Sequence, residues 1–266
     1  VSEVHWKEVI VEIERSAIEN GCVLEIINFN DYEDFNALTF ELKTDTYLGG
    51  IIIHQNDLDL MQALKEANIK CVVIEPKFYM NTDFTCLMPN DYVGMSKAAD
   101  YLYKLGHRKI CFIGNIFHND TFMQRFNGFY DYFRTKEDAE IITIINSNAS
   151  YELQNTDFDA FEKVFRRKEF PTALVCANDA LAMECIQRLK KLGKRVPDDI
   201  SVIGYGNTKE IYEFSPVITS MKIDRSMFGQ FIADYIIKNK YGTGIAFSFQ
   251  ISVDLIENET TKGISR

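Results

Sequence analysis

Histidine and tryptophan are scarce in this chain, and long apolar runs are missing altogether. Its 266 residues include four histidines and one tryptophan. No two histidines stand in an HxxxH spacing, and neither GxxxxGK[ST] nor GxSxG occurs. The local signatures of a zinc hydrolase, a phosphate-binding loop and a nucleophile elbow are therefore absent. No run approaches the ~18 apolar residues of a membrane span, and Val1 begins no signal peptide. Positive charge is in deficit too: 29 Lys and Arg face 39 Asp and Glu, a formal net charge of −10. Holding DNA phosphates needs a concentrated basic surface, and this sequence offers none. Arg166-Arg167-Lys168 and Lys190-Lys191 fall on or near helix ends, where solvated cations are the ordinary reading. These absences predict a protein that is not an enzyme, with no catalytic residue, cofactor or metal and no membrane contact.

The six cysteines are Cys22, Cys71, Cys86, Cys111, Cys176 and Cys185. They are spread without a CxxC pair, and four sit in apolar patterns as small buried hydrophobes do. That usage suits a reducing, cytoplasmic compartment better than a disulfide framework. With 46% hydrophobic and 26% charged residues, the chain has the balance of a globular protein able to bury a substantial core.

The most legible stretch is Pro171 to Asn207, PTALVCANDALAMECIQRLKKLGKRVPDDISVIGYGN. Thr172 to Ala177 is a short apolar strand. Leu181, Cys185, Leu189 and Leu192 then recur at helical spacing, with Asp179 as the expected N-cap and Gly193 as the stop. Ile200 to Tyr205 is a second buried strand, which completes a right-handed βαβ unit. Ligands of open α/β sheets bind beyond the carboxyl ends of the strands, where Asn178, Asp179 and Asn207 stand. The same alternation runs through the rest of the chain. Strands are predicted at Val23–Ile27, Gly50–Ile53, Cys71–Ile74, Cys86–Met88, Ile110–Ile113, Ile141–Ile145 and Ile218–Met221, with helices between most of them and a returning strand over Phe247–Val253. Strands alternating with helices argue for parallel sheets between helical layers. His107 and Arg108 follow the helix Asp91–Leu105, where the dipole favours cations.

Three motifs in order carry a family resemblance: GMSKAADYLYKLGHRKICFIG (Gly94 to Gly114), Arg125-Phe126-Asn127-Gly128-Phe129, and the TALVCANDALAMECIQRLKKLGKRVPDDISVIGY run. Together they closely resemble the effector-binding domain of the LacI/GalR family of bacterial transcription regulators. The resemblance implies an α/β fold of the type I periplasmic-binding-protein-like kind, with two Rossmann-like subdomains, parallel sheets and three crossover segments. Its expected boundaries are 1–112 plus 223–245 for the N-terminal subdomain and 113–222 plus 246–266 for the C-terminal one. It further implies a small effector, a sugar, sugar phosphate or related compound, bound in the cleft between lobes, a homodimer, and operator DNA held by an N-terminal helix-turn-helix that this sequence does not contain. The family's first central strand would precede Val1. An extracytoplasmic solute-binding protein of a transporter, which shares the fold, is the rival reading.

The resemblance also carries site residues. Arg125 matches the arginine of the family's R-x-x-G-[FW] motif, which points into the cleft, and its guanidinium fork suits vicinal hydroxyls, carboxylate or phosphate. On that reading Arg125 contributes little to the core. Asn178 would contact the effector and Asp179 would cap the helix, bind, or both. His5 and Trp6 fall where the family places residues over the ligand, although Trp6 also fits its helix's apolar stripe. His54 and Gln55 follow a buried strand, Asn90-Asp91 matches a position where the family often has Asp, and Tyr151 follows a strand where an aromatic wall is common. Gly206 is a departure. The family usually has Asp there, so polar duty is expected to pass to Asn207, unless Gly206 simply takes a positive φ.

Overall fold

The computed structural model describes residues 3–27, 35–43, 47–53, 57–76, 84–145, 155–238 and 246–264. These fall into an N-terminal unit, Ser2–Pro89 with Asp224–Ile251, and a C-terminal unit, Asn90–Ile223 with Ser252–Arg266. The chain passes between them three times, as the resemblance implies, but the passages lie at 89–90, 223–224 and 251–252 rather than at the expected boundaries.

In the N-terminal unit, helices α1 (Glu3–Glu19), α2 (Phe35–Leu42) and α3 (Leu58–Glu66) accompany strands β1 (Gly50–Ile53), β2 (Cys71–Ile74) and β3 (Thr85–Pro89). A later strand, Ser248–Ile251, pairs parallel with β3 and completes the sheet β1-β2-β3-β9, being the ninth in chain order. Every pairing in this sheet is parallel. Helix α8 (Ser226–Ile232), the eighth in order, lies along α1 so closely that a Cβ on Gly229 would stand 2.4 Å from the Glu12 carbonyl. Beside this contact Arg225 pairs with Glu8 at 3.2 Å. The strand expected over Val23–Ile27 does not form: these residues are irregular, and Val23 and Ile26 are 92% and 75% exposed. A strand exists only where a neighbour takes up its backbone hydrogen bonds, and among the described residues none runs beside this segment.

The C-terminal unit opens with α4 (Asp91–Lys104) and β4 (Lys109–Gly114), followed by α5 (Asp120–Phe133), β5 (Glu140–Ile145), α6 (Asn155–Phe165), β6 (Ala173–Cys176), α7 (Asp179–Lys191), β7 (Ser201–Gly206), β8 (Thr219–Ile223) and β10 (Val253–Ile256). The sheet order is β10-β8-β7-β6-β4-β5, parallel except for the antiparallel β10–β8 edge pair. Sequence reading grouped residues 91–112 with the first subdomain. They belong here because β4 is flanked by β5 and β6 and because α4 packs on α5. The alternation of β4 sends its side chains to two cores. Cys111 and Ile113 join Phe161, Phe165, Cys185 and Leu189 under α6 and α7. Phe112 turns the other way, with its ring 5.3 and 5.4 Å from Phe126 and Phe129 of α5. The direction of winding therefore reverses between β4 and β6, the topological switch point of a doubly wound sheet.

Gly128 of the arginine motif has a structural reason. A Cβ there would stand 2.1 Å from the Tyr92 carbonyl of α4, so only glycine lets the two helices approach this closely. Residues 257–264 are stitched across the far end of the sheet. Thr260 Oγ1 donates to the Val202 carbonyl at 2.7 Å and accepts from the Thr219 amide at 2.8 Å. His107 joins this seam and is not the exposed cation its position suggested. It is 2% exposed, with Nδ1 3.0 Å from Thr172 Oγ1 and Nε2 3.1 Å from the Lys262 carbonyl. The carbonyl can only accept, so Nε2 carries the proton and Nδ1 accepts from Thr172. Burial drives its pKa down to about 4, against the Lys262 carbonyl, which favours the proton. Five of the six cysteines are buried, all six are free thiols, and burial pushes Cys71 up to about 12.

Two outcomes follow. Gly128→Ala should lower stability by about 1–3 kcal/mol in urea unfolding, because α4 and α5 must part. Because the unfolded chain binds the His107 proton more readily, the stability from the neutral ring is complete above the ordinary value of 6.5 and is lost as pH falls toward about 4, on the order of 3 kcal/mol. The urea midpoint of His107→Gln should therefore fall less than the wild type's between about pH 7 and pH 4.5.

Candidate ligand-binding site

The carboxyl ends of β4, β6 and β7 lie along one edge of the C-terminal unit, and polar residues follow each of them. Cys176 ends β6 and is followed by Ala177, Asn178 and Asp179; Gly206 ends β7 and is followed by Asn207. Arg125 reaches this edge from the second turn of α5. Its Nε donates to Asp91 Oδ1 at 2.9 Å and its Nη1 donates to the Ala177 carbonyl at 2.9 Å. The guanidinium also lies 3.9 Å from the centroid of the Tyr205 ring, as a cation over an aromatic face does. One side chain thus ties α4, α5, β6 and β7 together. The ion pair is buried, at 7% side-chain exposure for Arg125 and 0% for Asp91. The expectation that Arg125 adds little to the core is overturned.

The cap of α7 differs from the sequence reading by one residue. Asn178, not Asp179, is the N-cap of α7, with Oδ1 accepting from the Leu181 amide at 2.8 Å. Asn90 likewise caps α4, through the Val93 amide at 3.1 Å. The aspartates that follow each cap, Asp91 and Asp179, are both 1% exposed and point into the fold. Asp179 Oδ1 accepts from Ser220 Oγ at 2.6 Å and Oδ2 from the Thr208 amide at 2.9 Å. Ser220 Oγ in turn accepts from the Asn207 amide at 3.0 Å, so the residues after β6 and β7 and Ser220 within β8 meet at one carboxylate. Gly206 takes φ +121° and Asn207 φ +50°, so the conformation favours glycine at 206. A Cβ on Gly206 would also stand 3.4 Å from Asp179 Oδ2. The Asn207 side chain accepts from the Tyr212 hydroxyl at 3.0 Å.

The fold thus brings Arg125, Asp91, Asn178, Asp179 and Asn207 to one sheet end, with Asn90 beside Asp91. His54, Gln55 and Tyr151 lie outside the described residues, as do the side chains of His5 and Trp6. Sequence reading passed over Asn115, which directly follows Gly114 at the end of β4 and is 2% exposed. The signal was the one that picked out Asn178 and Asn207, a polar residue just after a buried strand. Among the described residues no cluster of His, Cys, Asp and Glu could hold a metal ion, and no helix is long and apolar enough to cross a membrane.

Comparison with known proteins gives the same picture. Residues 99–261 match the periplasmic binding protein-like domain, more than half of the chain. The HTH-type transcriptional repressor PurR of Pectobacterium carotovorum subsp. carotovorum (strain PC1) is 27% identical over 233 residues, spanning 85% of this chain and 67% of that repressor. A LacI family transcriptional regulator from Enterococcus faecium, with bound ribose, superposes with a TM-score of 0.79 at 18% identity, covering 100% of this chain and 97% of that one. A periplasmic binding protein/LacI transcriptional regulator from Alkaliphilus metalliredigens QYMF, complexed with D-xylulofuranose, gives 0.76 at 23% identity over 100% and 96%.

Breaking the buried ion pair from one side strands a carboxylate, so Arg125→Ala should cost about 3–5 kcal/mol of stability. Arg125→Ala combined with Asp91→Ala should cost less than the sum of the two single changes, which a double-mutant cycle in urea would measure. The motif arginine, the doubly wound sheet with its polar carboxyl end, and the family match agree: the chain belongs to the periplasmic binding protein-like domain family, and its motifs resemble those of the LacI/GalR-type regulators.

Proposed function

We propose that this chain is the ligand-sensing and dimerisation domain of a transcription regulator, a repressor, which binds a sugar or sugar derivative and so controls a DNA-binding head that lies outside this sequence. The observation that carries the reading is the gathering of Arg125, Asn178 and Asn207 at the sheet end where doubly wound folds take ligands. Bound sugars in the Enterococcus and Alkaliphilus regulators support the ligand class, and the PurR likeness supports repression. The net charge of −10 supports leaving DNA contact to another segment, and the twofold partner is carried over from the family resemblance. A cytoplasmic location accords with six free thiols and a DNA target. Arg125 would act by position: its Nε and Nη1 bonds hold the guanidinium, and a ligand hydroxyl or carboxylate would meet a group that needs no reordering. The effector would change DNA affinity only by as much as it prefers one state of the domain over another, with no covalent step.

A melting screen against sugars, sugar phosphates, polyols and nucleobases tests this. A true effector at about a hundred times its Kd should stabilise the domain by roughly 2.7 kcal/mol, a rise of several degrees confined to one chemical class. A flat response to all four classes would count against the reading.

A further inference from the structure

The end of β4 carries a polar group with no hydrogen-bond partner among the described residues. Asn115 Oδ1 accepts from the Phe117 amide at 3.2 Å, and its carbonyl accepts from the His118 amide at 3.4 Å, so the residue is held in a tight turn. A backbone N–H needs an acceptor, which fixes the oxygen end of the side chain and makes Nδ2 the remaining atom. That Nδ2 is buried and meets no hydrogen-bond acceptor among the described residues. Buried donors without acceptors are rare in folded proteins and unfavourable where they occur. This one sits at the point of the sheet where a ligand is expected. Gly114 touches Ala177 so closely that an added Cβ would stand 2.5 Å from the Ala177 Cβ, and the Ala177 carbonyl holds Arg125. Asn115 therefore follows β4, and Asn178 follows β6, on the two sides of the switch point between those strands.

We propose that Asn115 is a ligand-contacting residue whose Nδ2 donates a hydrogen bond to an oxygen acceptor of the effector, a hydroxyl, ring or carbonyl oxygen. The inference rests on the reading of this sheet end as the effector site and adds a donor to it. Because Oδ1 is already anchored and Nδ2 has no partner among the described residues to give up, binding breaks none of the described bonds and freezes no rotor. Ligands without an acceptor at that point would leave the donor stranded, which makes Asn115 a determinant of specificity.

Asn115→Ser tests it, since the serine oxygen can still accept from the Phe117 amide while the amide donor is gone. Calorimetry with ribose, D-xylulose, ribose 5-phosphate and uracil, each of which carries oxygen acceptors, would be run on wild type and variant, alongside melting of both without ligand. For a probe that wild type binds, Kd should rise at least about tenfold in the variant, roughly 1.4 kcal/mol, with the ligand-free melting temperature nearly unchanged. If the variant also melts several degrees lower, Asn115→Thr, with the same oxygen and a methyl in the space of the amide, decides in its place. A Kd within about twofold of wild type would overturn the role of Asn115 and leave the effector site standing. Should wild type bind none of the four probes, the effector reading fails and Asn115 falls with it.

Discussion

A buried charge must have a partner, and in the C-terminal unit Arg125 and Asp91 answer that demand for each other. Neither is exposed enough for water to stand in, so the helix that carries Asp91 and the helix that carries Arg125 are held in one relation. Gly128, one turn after the arginine, allows the backbone approach that this relation needs. The arginine also spends a donor on the carbonyl at the end of β6 and lies on a ring at the end of β7. The motif Arg125-x-x-Gly128 is therefore first a packing device. Its suitability for a ligand is a consequence of rigidity: a guanidinium fixed by three neighbours presents its remaining surface in one orientation.

The same economy appears in the Asn-Asp pairs that open α4, α5 and α7. In each, the asparagine turns back to cap the first turn: Asn90 on Val93, Asn119 on Phe122 and Asn178 on Leu181. The aspartate one residue on has the helix dipole in its favour and is free to serve another element. Asp91 reaches Arg125, and Asp179 reaches Ser220 and Thr208. Three helix starts thus supply local capping, and two of them, those of α4 and α7, also supply long-range bonds that set the shape of the sheet end.

Much of the fold could be read in advance because its strands are buried on both faces and its helices carry one apolar stripe. Ala173–Cys176, Ser201–Gly206 and the helix between them follow from those patterns alone. What escaped depended on partners distant in the chain. Arg125 looked like a surface residue with a ligand because Asp91 is 34 residues away. His107 looked like a cation at a helix end because the Lys262 carbonyl that buries it is 155 residues away. Val23–Ile27 has strand chemistry but no described neighbour. The cap of α7 was misplaced by one because adjacent Asn and Asp are both good cap formers, and only geometry says which one turns back. At the candidate site, Arg125, Asn178 and Asn207 were legible from strand ends and motif, while Asn115 carried the same strand-end signal but lies just past the Gly94–Gly114 motif and was passed over.

The stitched segment 257–264 bears on how the protein is made. The C-terminal unit lacks its β10 edge, the Thr260 bonds and the seam around His107 until residue 264 exists, although most of its sheet is complete by residue 223. The N-terminal unit in turn waits for Ser248–Ile251 to close beside β3. Each unit is assembled from separated pieces, so neither can close its sheet until the chain has passed through part of the other. A nascent chain of this protein therefore carries two incomplete sheets with open edges until residues 248–264 are added, the interval in which chaperones have the most to protect.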